Sequence, residues 1–326
     1  MKKLSTLLWE IGSKILPDEV VLKILFRKVL GQKLNLDNPQ TFNEKLQWLK
    51  LYYREPLFTA MVDKYGVKQY IANLIGEQYI AKTYGIYDSF DEIDFSSLPN
   101  SFVMKCTHNS GSLVIVKDKN KLDHNAAKRK LQGGLKHNYF YFGREWPYKN
   151  IQPRILVEEF LHDDKNEVLP VYKFFNFNNG ATIIQAITND KMSNESIDYF
   201  DENWNLLPIQ QVFPNSETPP TRPDNLEEML QLSVKLSRGF PFLRTDFYNV
   251  GGRTYFSEFT FYSDSGFGKF CPDSWDKELG NRIQLPKLHI RRKTMNAKLN
   301  HLVACIKHPL RAAKYISERR GGVSHG

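Results

Sequence analysis

The chain has 326 residues, 41% of them hydrophobic and 25% charged, with a formal net charge of +9. That length carries a large core and about two domains, and that composition excludes a disordered chain. The positive excess favours anionic partners (nucleotide, nucleic acid, acidic polysaccharide or a membrane surface), with simple solubility as the plain alternative.

Cys106, Cys271 and Cys305 stand far apart. They show neither a disulfide framework nor zinc-ligand spacing, which fits a reducing cytoplasm. The start, MKKLSTLLWEIGSKIL, has its apolar stretch broken by Glu10 and no small-residue cleavage site after it, so it is a poor signal peptide. No run approaches the roughly 18 apolar residues of a membrane span. A cytoplasmic protein is expected, with peripheral contact at the cytoplasmic membrane face as a further option.

Leu4, Leu7, Leu8, Ile11 and Ile15 recur at helical spacing up to Pro17. Asp18 is a cap for a second helix through Val20, Val21, Ile24, Leu25 and Val29, stopped by Gly31. Two such amphipathic helices either lie on lipid or pack on their own domain. Thr41 and Glu44 form a capping box for a helix with Leu46, Leu49 and Leu51 inward. Its end, Tyr52-Tyr53-Arg54, is buried packing or a contact surface. Asp63-Lys64 opens a helix over about residues 61–75, closed by Gly76. Ile80 to Tyr87 reads as a strand.

Phe102 to Cys106 is a strand, His108 to Ser112 a small polar turn, and Leu113 to Val116 the returning strand. A lysine (Lys105) beside a Ser/Gly turn can hold phosphate, through backbone N–H groups and the ammonium charge. Strand–loop–strand is not a Walker loop, and many hairpins share this pattern. Residues 122–138 form a helix rich in Lys and His. The segment YFGREWPYKNIQPR has too many prolines for a helix. Its aromatics and Arg144 suit a sugar or base, or a packed loop.

ILVEEFL (155–161) is a buried-type strand containing Glu158 and Glu159. Val171 to Phe177 and Ala181 to Thr188 pair across Asn178-Asn179-Gly180, and Lys173 among aromatics needs a partner or solvent. Residues 190–223 are loop-like, with five prolines, and 225–238 form a helix ended by Gly239.

FLRTDFYNVGGRTYFSEFT (242–260) reads as a hairpin around Asn249 to Gly252. A three-residue loop centred on Gly252 sets Asp246 opposite Glu258 and Arg244 opposite Thr260, on one face. Leu243, Phe247 and Phe259 take the other. Facing carboxylates repel unless a cation or shared proton intervenes. Paired oxygen ligands on a stiff hairpin suit Mg²⁺ completed by substrate phosphates; an exposed polar face is the alternative. Ser263 to Gly268 is another small loop.

In this order, the motifs TFNEKLQWLKLYYREPL, VDKYGV, FVMKCTHNSG, GREWPYKNIQPRILVEEFL, YKFF, GFPFLRTDFYNV and YFSEFTFYSDSGF resemble the TupA-like ATP-grasp family, named for teichuronopeptide biosynthesis. They cover about residues 35–285. The resemblance implies an α+β ATP-grasp fold, in which two lobes with antiparallel sheets clamp ATP, preceded by N-terminal helices. Residues 1–60 would be the helical segment and 61–290 the ATP-grasp region, with subdomains at 61–98, 99–160 and 161–290. Residues 291–326 would be a basic tail.

The same resemblance implies ATP and Mg²⁺ as cofactors. Lys105 matches the phosphate lysine, and Asn109, Ser110, Gly111 and Ser112 match the mobile loop over the phosphates. Glu158, Glu159, Phe160 and Leu161 match the hinge facing adenine; Lys64 and Lys173 are further nucleotide contacts. Asp246 and Glu258 match the metal-binding acids, and Arg244 the transition-state arginine. Substrate contacts fall at Arg144, Ser265 and Gly266. Two departures stand out. Thr260 occupies a position where Asn commonly adds a magnesium ligand. The ribose-binding acid is open among Asp163, Asp164 and Glu167.

The implied activity is that of an ATP-dependent carboxylate–amine ligase. A carboxylate, expected to be a uronic acid of a bacterial cell-surface polysaccharide, is activated as an acylphosphate and joined to an amino acid or amine. No nucleic acid is expected as substrate. Rival readings are a polysaccharide glycosyltransferase, an ATP-grasp kinase, and an adaptor using the basic tail. Asp163-Asp164 lacks the Asp-x-Asp spacing of the first.

Overall fold

The computed structural model describes residues 15–163 and 168–287. Most of the helix expected over 4–16, the acids Asp164 and Glu167, and the basic tail lie outside the described residues.

Helix α1 (Asp18–Leu30) ends at Gly31, whose φ of 73° is the left-handed geometry glycine adopts freely. Pro17, not Asp18, is its N-cap. Asp18 lies in the first turn, and its carboxylate accepts from Arg54 Nη2 at 2.8 Å. The buried stripe is Val21, Leu22 and Phe26, with Val20, Ile24 and Val29 exposed. Leu22 and Phe26 pack with Leu34, Leu36, Trp48 and Leu51, and that contact selects the inward face.

Helix α2 (Phe42–Tyr52) opens on the expected capping box. Glu44 N–H donates to Thr41 Oγ1 (3.2 Å), and Thr41 N–H donates to Glu44 Oε2 (3.1 Å). Phe42, Leu46 and Leu49 enter the main core. The expected helix over 61–75 is two helices, α3 (Pro56–Val62) and α4 (Gly66–Leu74). Pro56 starts the first early. Asp63 then breaks the run by accepting the Tyr65 N–H on its own side chain (3.1 Å), a local bond that competes with the helix.

Strands β1 (Thr83–Tyr87), β2 (Phe102–Cys106), β3 (Leu113–Val116) and β4 (Ile155–Glu159) form an antiparallel sheet in the order β1-β4-β2-β3. Helix α5 (His124–Leu135), capped by Asp123, packs Ala127 and Leu131 on that sheet's core with Phe102, Met104 and Val157. The proline-rich segment that follows holds only a four-residue helix, α6 (Phe140–Gly143), and a single 3₁₀ turn, Trp146–Tyr148.

The second sheet joins β5 (Val171–Phe177), β6 (Thr182–Thr188), β7 (Ser196–Phe200), β8 (Leu206–Leu207), β10 (Phe242–Val250) and β11 (Arg253–Thr260). Its order is β11-β10-β5-β6-β7-β8. β9 (Gln210–Gln211) and β12 (Phe270–Cys271) pair separately. Helix α7 (Leu226–Ser237) covers this sheet with Met229 and Leu236, and α8 (Ser274–Arg282) packs against α2. Residues 190–223 therefore contain strands, contrary to the loop reading. The signal in SIDYF is hidden by Asp198, whose carboxylate is satisfied by Ser216 N–H (3.2 Å) and by the Ser216 hydroxyl.

The hairpin at 242–260 forms, but by a different turn. Val250 pairs with Arg253, so only Gly251 and Gly252 turn the chain, with φ of 57° and 86°. A bulge then takes up one extra residue, Ser257, and restores the pairs Asp246–Glu258 and Arg244–Thr260.

Candidate active site

Lys105 sits on the half-exposed face of β2, where burial alternates along the strand. Its ammonium is ion-paired with Glu158 of β4, and the other Glu158 oxygen takes Lys68 Nζ from α4 at 2.8 Å. Lys64, in the break between α3 and α4, donates to the Asn109 carbonyl at 2.5 Å and has no acidic ion-pair partner among the described residues. These groups line an open cleft, with Leu161 on one side and Tyr248 and Phe256 from the β10–β11 hairpin on the other. Burial pushes the Glu158 carboxyl up, but Lys105 and Lys68 more than offset it, and the net result lies below the ordinary range. Burial lowers Lys64, with Glu258 pulling the other way.

The turn after β2 is anchored at its base. Asn109 Nδ2 donates to Gly134 O (2.9 Å), His108 Nε2 meets His137 O (3.1 Å), and Cys106 N–H donates to Ser112 O (3.0 Å). Ser110 and Gly111 form the exposed tip, with Gly111 at φ 88°. The buried Asn109 Oδ1 and His108 Nδ1 have no hydrogen-bond partner among the described residues. Glu159 accepts the Lys82 N–H at 3.2 Å, and Phe160 stacks on His162 at 5.9 Å between centroids. Of the two hinge acids, Glu158 is committed to two lysines and Glu159 to the Lys82 N–H.

On the hairpin, Arg244 grips Asp246 with two hydrogen bonds, Nε–Oδ1 and Nη2–Oδ2, both 2.8 Å. Arg244 Nη1 donates to Ser263 Oγ (3.2 Å), and Nη2 lies 3.6 Å from Glu258 Oε1. Lys173 on β5 is directly across from Asp246 in the register. Thr260 stands opposite Arg244. Burial pushes Asp246 up, against Arg244 and Lys173. The bidentate contact with a guanidinium that does not deprotonate keeps it ionised. For Glu258, burial is outweighed by Lys64, Arg244 and Lys173, and the carboxyl stays low.

The donor set fits a polyphosphate and a hard cation. Three lysines face the cleft against one acid, and Lys64 is left with a carbonyl for company. Glu258 offers a half-exposed carboxylate that acts electrostatically on Lys64 and Lys105, and Asp246 keeps lone pairs beyond those Arg244 uses. No cluster of three or more His, Cys, Asp or Glu side chains converges among the described residues. One or two carboxylates plus phosphate oxygens is the usual magnesium arrangement.

The segments carrying Arg144, Ser265 and Gly266 meet beside Arg244. Arg144 is 1% exposed, with its Nε 3.4 Å from Asp18 and its guanidinium 5.0 Å from the Phe140 ring, so it braces α1 and is not turned to the site's acids. Ser265 and Gly266 are held from behind. Their carbonyls accept from Gln47 Nε2 at 3.1 and 2.7 Å, and Lys50 Nζ adds a bond to Ser265 O at 2.7 Å. Sequence reading missed Lys68, Lys50, Glu145 and Ser263. Lys68 had a signal, four residues after Lys64. Lys50 and Glu145 gained significance only when distant segments met.

The family model described as TupA-like ATPgrasp matches residues 44–284. No curated protein matches the chain. Among solved structures, the D-alanine–D-alanine ligase of Helicobacter pylori is similar at 16% identity over 77% of this chain and 68% of that one, with a TM-score of 0.41. The D-alanyl-alanine synthetase A of Vibrio cholerae is similar at 12% identity over 81% and 66%, with a TM-score of 0.38. The ATP-grasp ligase PsnB, complexed with a minimal precursor, gives 8% identity over 67% and 59%, with a TM-score of 0.36. Two antiparallel sheets flanking a lysine-lined cleft, and a family match over most of the chain, give one conclusion: the chain belongs to the TupA-like ATP-grasp family.

Proposed function

We propose that the chain is an ATP-dependent carboxylate–amine ligase acting on a uronic-acid carboxylate of a bacterial surface polysaccharide. The observation that carries this reading is the cleft itself. Lys64, Lys68 and Lys105 line it with Glu158 as the one acid, and Glu258, next to Arg244, is near enough to act on Lys64 and Lys105 electrostatically, a charge pattern suited to a nucleotide triphosphate.

A carboxylate resists amide formation because its leaving group is oxide. Attack of the carboxylate oxygen on the γ-phosphorus, with ADP leaving, gives an acylphosphate that an amine then opens. Lys105 and Lys64 would hold phosphate oxygens, and the Glu158 bridge fixes Lys105 beside Lys68. Arg244, anchored by Asp246 and Ser263, would stabilise charge on the transferring phosphoryl group without moving. Bound Mg²⁺, held by Asp246 and Glu258 with Thr260 nearby, would neutralise the β- and γ-phosphates. The +9 charge supports a polyanionic acceptor. Among the described residues no helix is long and apolar enough to cross a membrane, and a cytoplasmic location with peripheral membrane contact completes the reading.

An ADP-release screen against uronic-acid oligosaccharides and amino acids, with product masses, tests it. The expected product is heavier by the amine minus water. A phosphorylated product formed without amine would favour a kinase. Tight sugar-nucleotide binding with none of ATP would replace the reading by a glycosyltransferase.

A further inference from the structure

The ligase reading requires an amine that arrives as ammonium and must lose a proton before it attacks. The acids around the cleft are mostly committed: Asp246 to Arg244, Glu158 to two lysines, Asp264 to the Ser263 hydroxyl at 3.2 Å. Glu258 lies 3.6 Å from Arg244 and within the field of Lys64. Glu145 is different. It is 5% exposed, in the turn after α6, and makes no ion pair among the described residues. The ammonium beside it, Lys50, spends its N–H groups on Gly143 O (2.7 Å), Ser265 O (2.7 Å) and Ser265 Oγ (3.0 Å). A buried carboxylate whose neighbouring ammonium spends its hydrogen bonds elsewhere is under-partnered, and a ligand's ammonium would offset that cost.

The turn containing Glu145 is joined to the reaction centre through residues 263–265. Ser263 Oγ holds Arg244 at 3.2 Å, and Ser265, two residues on, is bonded to the Lys50 that pins Gly143. A Cβ at Gly143 would fall 2.0 Å from Ser265 Oγ, so any other residue there forces the Ser265 side chain to shift. Arg144, Asp264 and Ser265 all have left-handed backbones, with φ of 58°, 47° and 53°. Such strain concentrates at functional sites. Tyr139 and Tyr148 meet edge-on at 5.0 Å between centroids, in the field of both Glu145 and Glu258.

Resting on the ligase reading above, we propose that Glu145 is the catalytic residue that receives the amine, binding it as ammonium and then taking its proton. One N–H bond of the ammonium breaks and its proton passes to a Glu145 carboxylate oxygen. The freed lone pair forms the C–N bond at the acyl carbon. The C–O bond to the phosphoryl group breaks, and phosphate leaves with that electron pair and the second amine proton. Burial raises Glu145, opposed by Lys50, the Ser265 hydroxyl and Arg244, which brings its proton affinity toward that of a working base. Lys50, Arg244, Glu258, Tyr139, Tyr148 and Tyr262 are the titratable groups facing it.

Glu145→Gln tests this with oligogalacturonate as carboxylate probe and two nucleophiles. Glycine is protonated near neutral pH; hydroxylamine is largely neutral. The variant should lose glycine-dependent ADP release about a hundredfold, yet keep hydroxamate formation near the wild-type rate. Its deficit with glycine should shrink as pH approaches the amine's own pKa. Equal losses with both nucleophiles would overturn the proposal. Carboxyl carbon NMR gives a second readout on the whole chain. The resonance absent from Glu145→Gln should move on adding methylammonium and stay put with tetramethylammonium. No movement overturns the proposal whatever the turnover shows. Movement without any wild-type hydroxamate would instead discard the ligase reading and leave an ammonium site.

Discussion

Asp246 and Glu258 face one another across the hairpin but are held differently, so their amide variants should fail differently. Asp246 is 1% exposed and commits both oxygens to Arg244. The Glu258 side chain is 45% exposed, and its contact with Arg244 is 3.6 Å. Asp246→Asn removes the charge and turns an NH₂ donor toward a guanidinium that can only donate. Arg244 is then buried with one long, exposed partner. Removing one side of a buried pair costs about 3–5 kcal/mol. At about 2–4 °C per kcal/mol for a unit of this size, Tm should fall by about 6–20 °C. Glu258→Gln loses a half-exposed contact of about 0–1 kcal/mol, so its Tm should stay within about 4 °C of wild type. Scanning calorimetry reads these values. Titration calorimetry with ATP, in Mg²⁺ and in EDTA, reads the metal. Wild type should bind ATP more tightly with Mg²⁺, and Glu258→Gln should erase that difference while melting normally. A Glu258→Gln variant that keeps the full Mg²⁺ effect would refute the metal role. An Asp246→Asn variant that melts like wild type would refute the buried pair.

Two further tests probe the supports of the site. Glu158 lies below its ordinary value of 4.5, because Lys105 and Lys68 outweigh burial. A carboxylate depressed on folding contributes stability above its unfolded pKa and loses it as pH falls through the folded one. The stability gap between wild type and Glu158→Gln in urea should therefore be full near neutrality and close below pH 4.5; a gap constant with pH would mean the lysine bridge does not form. Gly143→Ala and Gly280→Ala both crowd the chain, with a Cβ 2.0 Å from Ser265 Oγ and 2.2 Å from Gln40 O respectively. Each should cost about 1–3 kcal/mol by overpacking. Below their melting ranges only Gly143→Ala should slow amine-dependent turnover, and equal activities would detach that turn from the reaction.

Local rules made much of this fold legible. The capping box at Thr41–Glu44, the turn at 178–180 and the alternation around Lys105 depend on neighbours within a few residues. Failures came where a side chain answered to something distant. Asp198 broke the strand pattern of SIDYF because its partner lies at Ser216. Asp18 looked like a cap but serves Arg54 and Arg144. Arg144 looked like a ligand group among aromatics, while the chain buries it against α1. Glu145 and Lys50 are 95 positions apart, with ordinary surroundings in the sequence, and no spacing rule links them.

The hairpin shows how a pairing can be foreseen through the wrong turn. Counting back from a three-residue loop centred on Gly252 faces Asp246 with Glu258. The chain instead turns on two glycines, and that register alone would set Asp246 opposite Ser257. Glu258 would then share a face with Leu243 and Phe247, in the core, since a one-residue slip reverses every side chain. The bulge at Ser257 prevents this. Before it, Phe256 points inward to Phe247 at 6.3 Å; after it, Phe259 does so too, 4.8 Å from Phe256. One extra residue thus lets two phenylalanines fill the core from one strand while the glutamate between them faces Asp246 and Arg244. The bulge is as much a part of the candidate site as the acids, because without it the second carboxylate would turn into the core and away from Asp246 and Arg244.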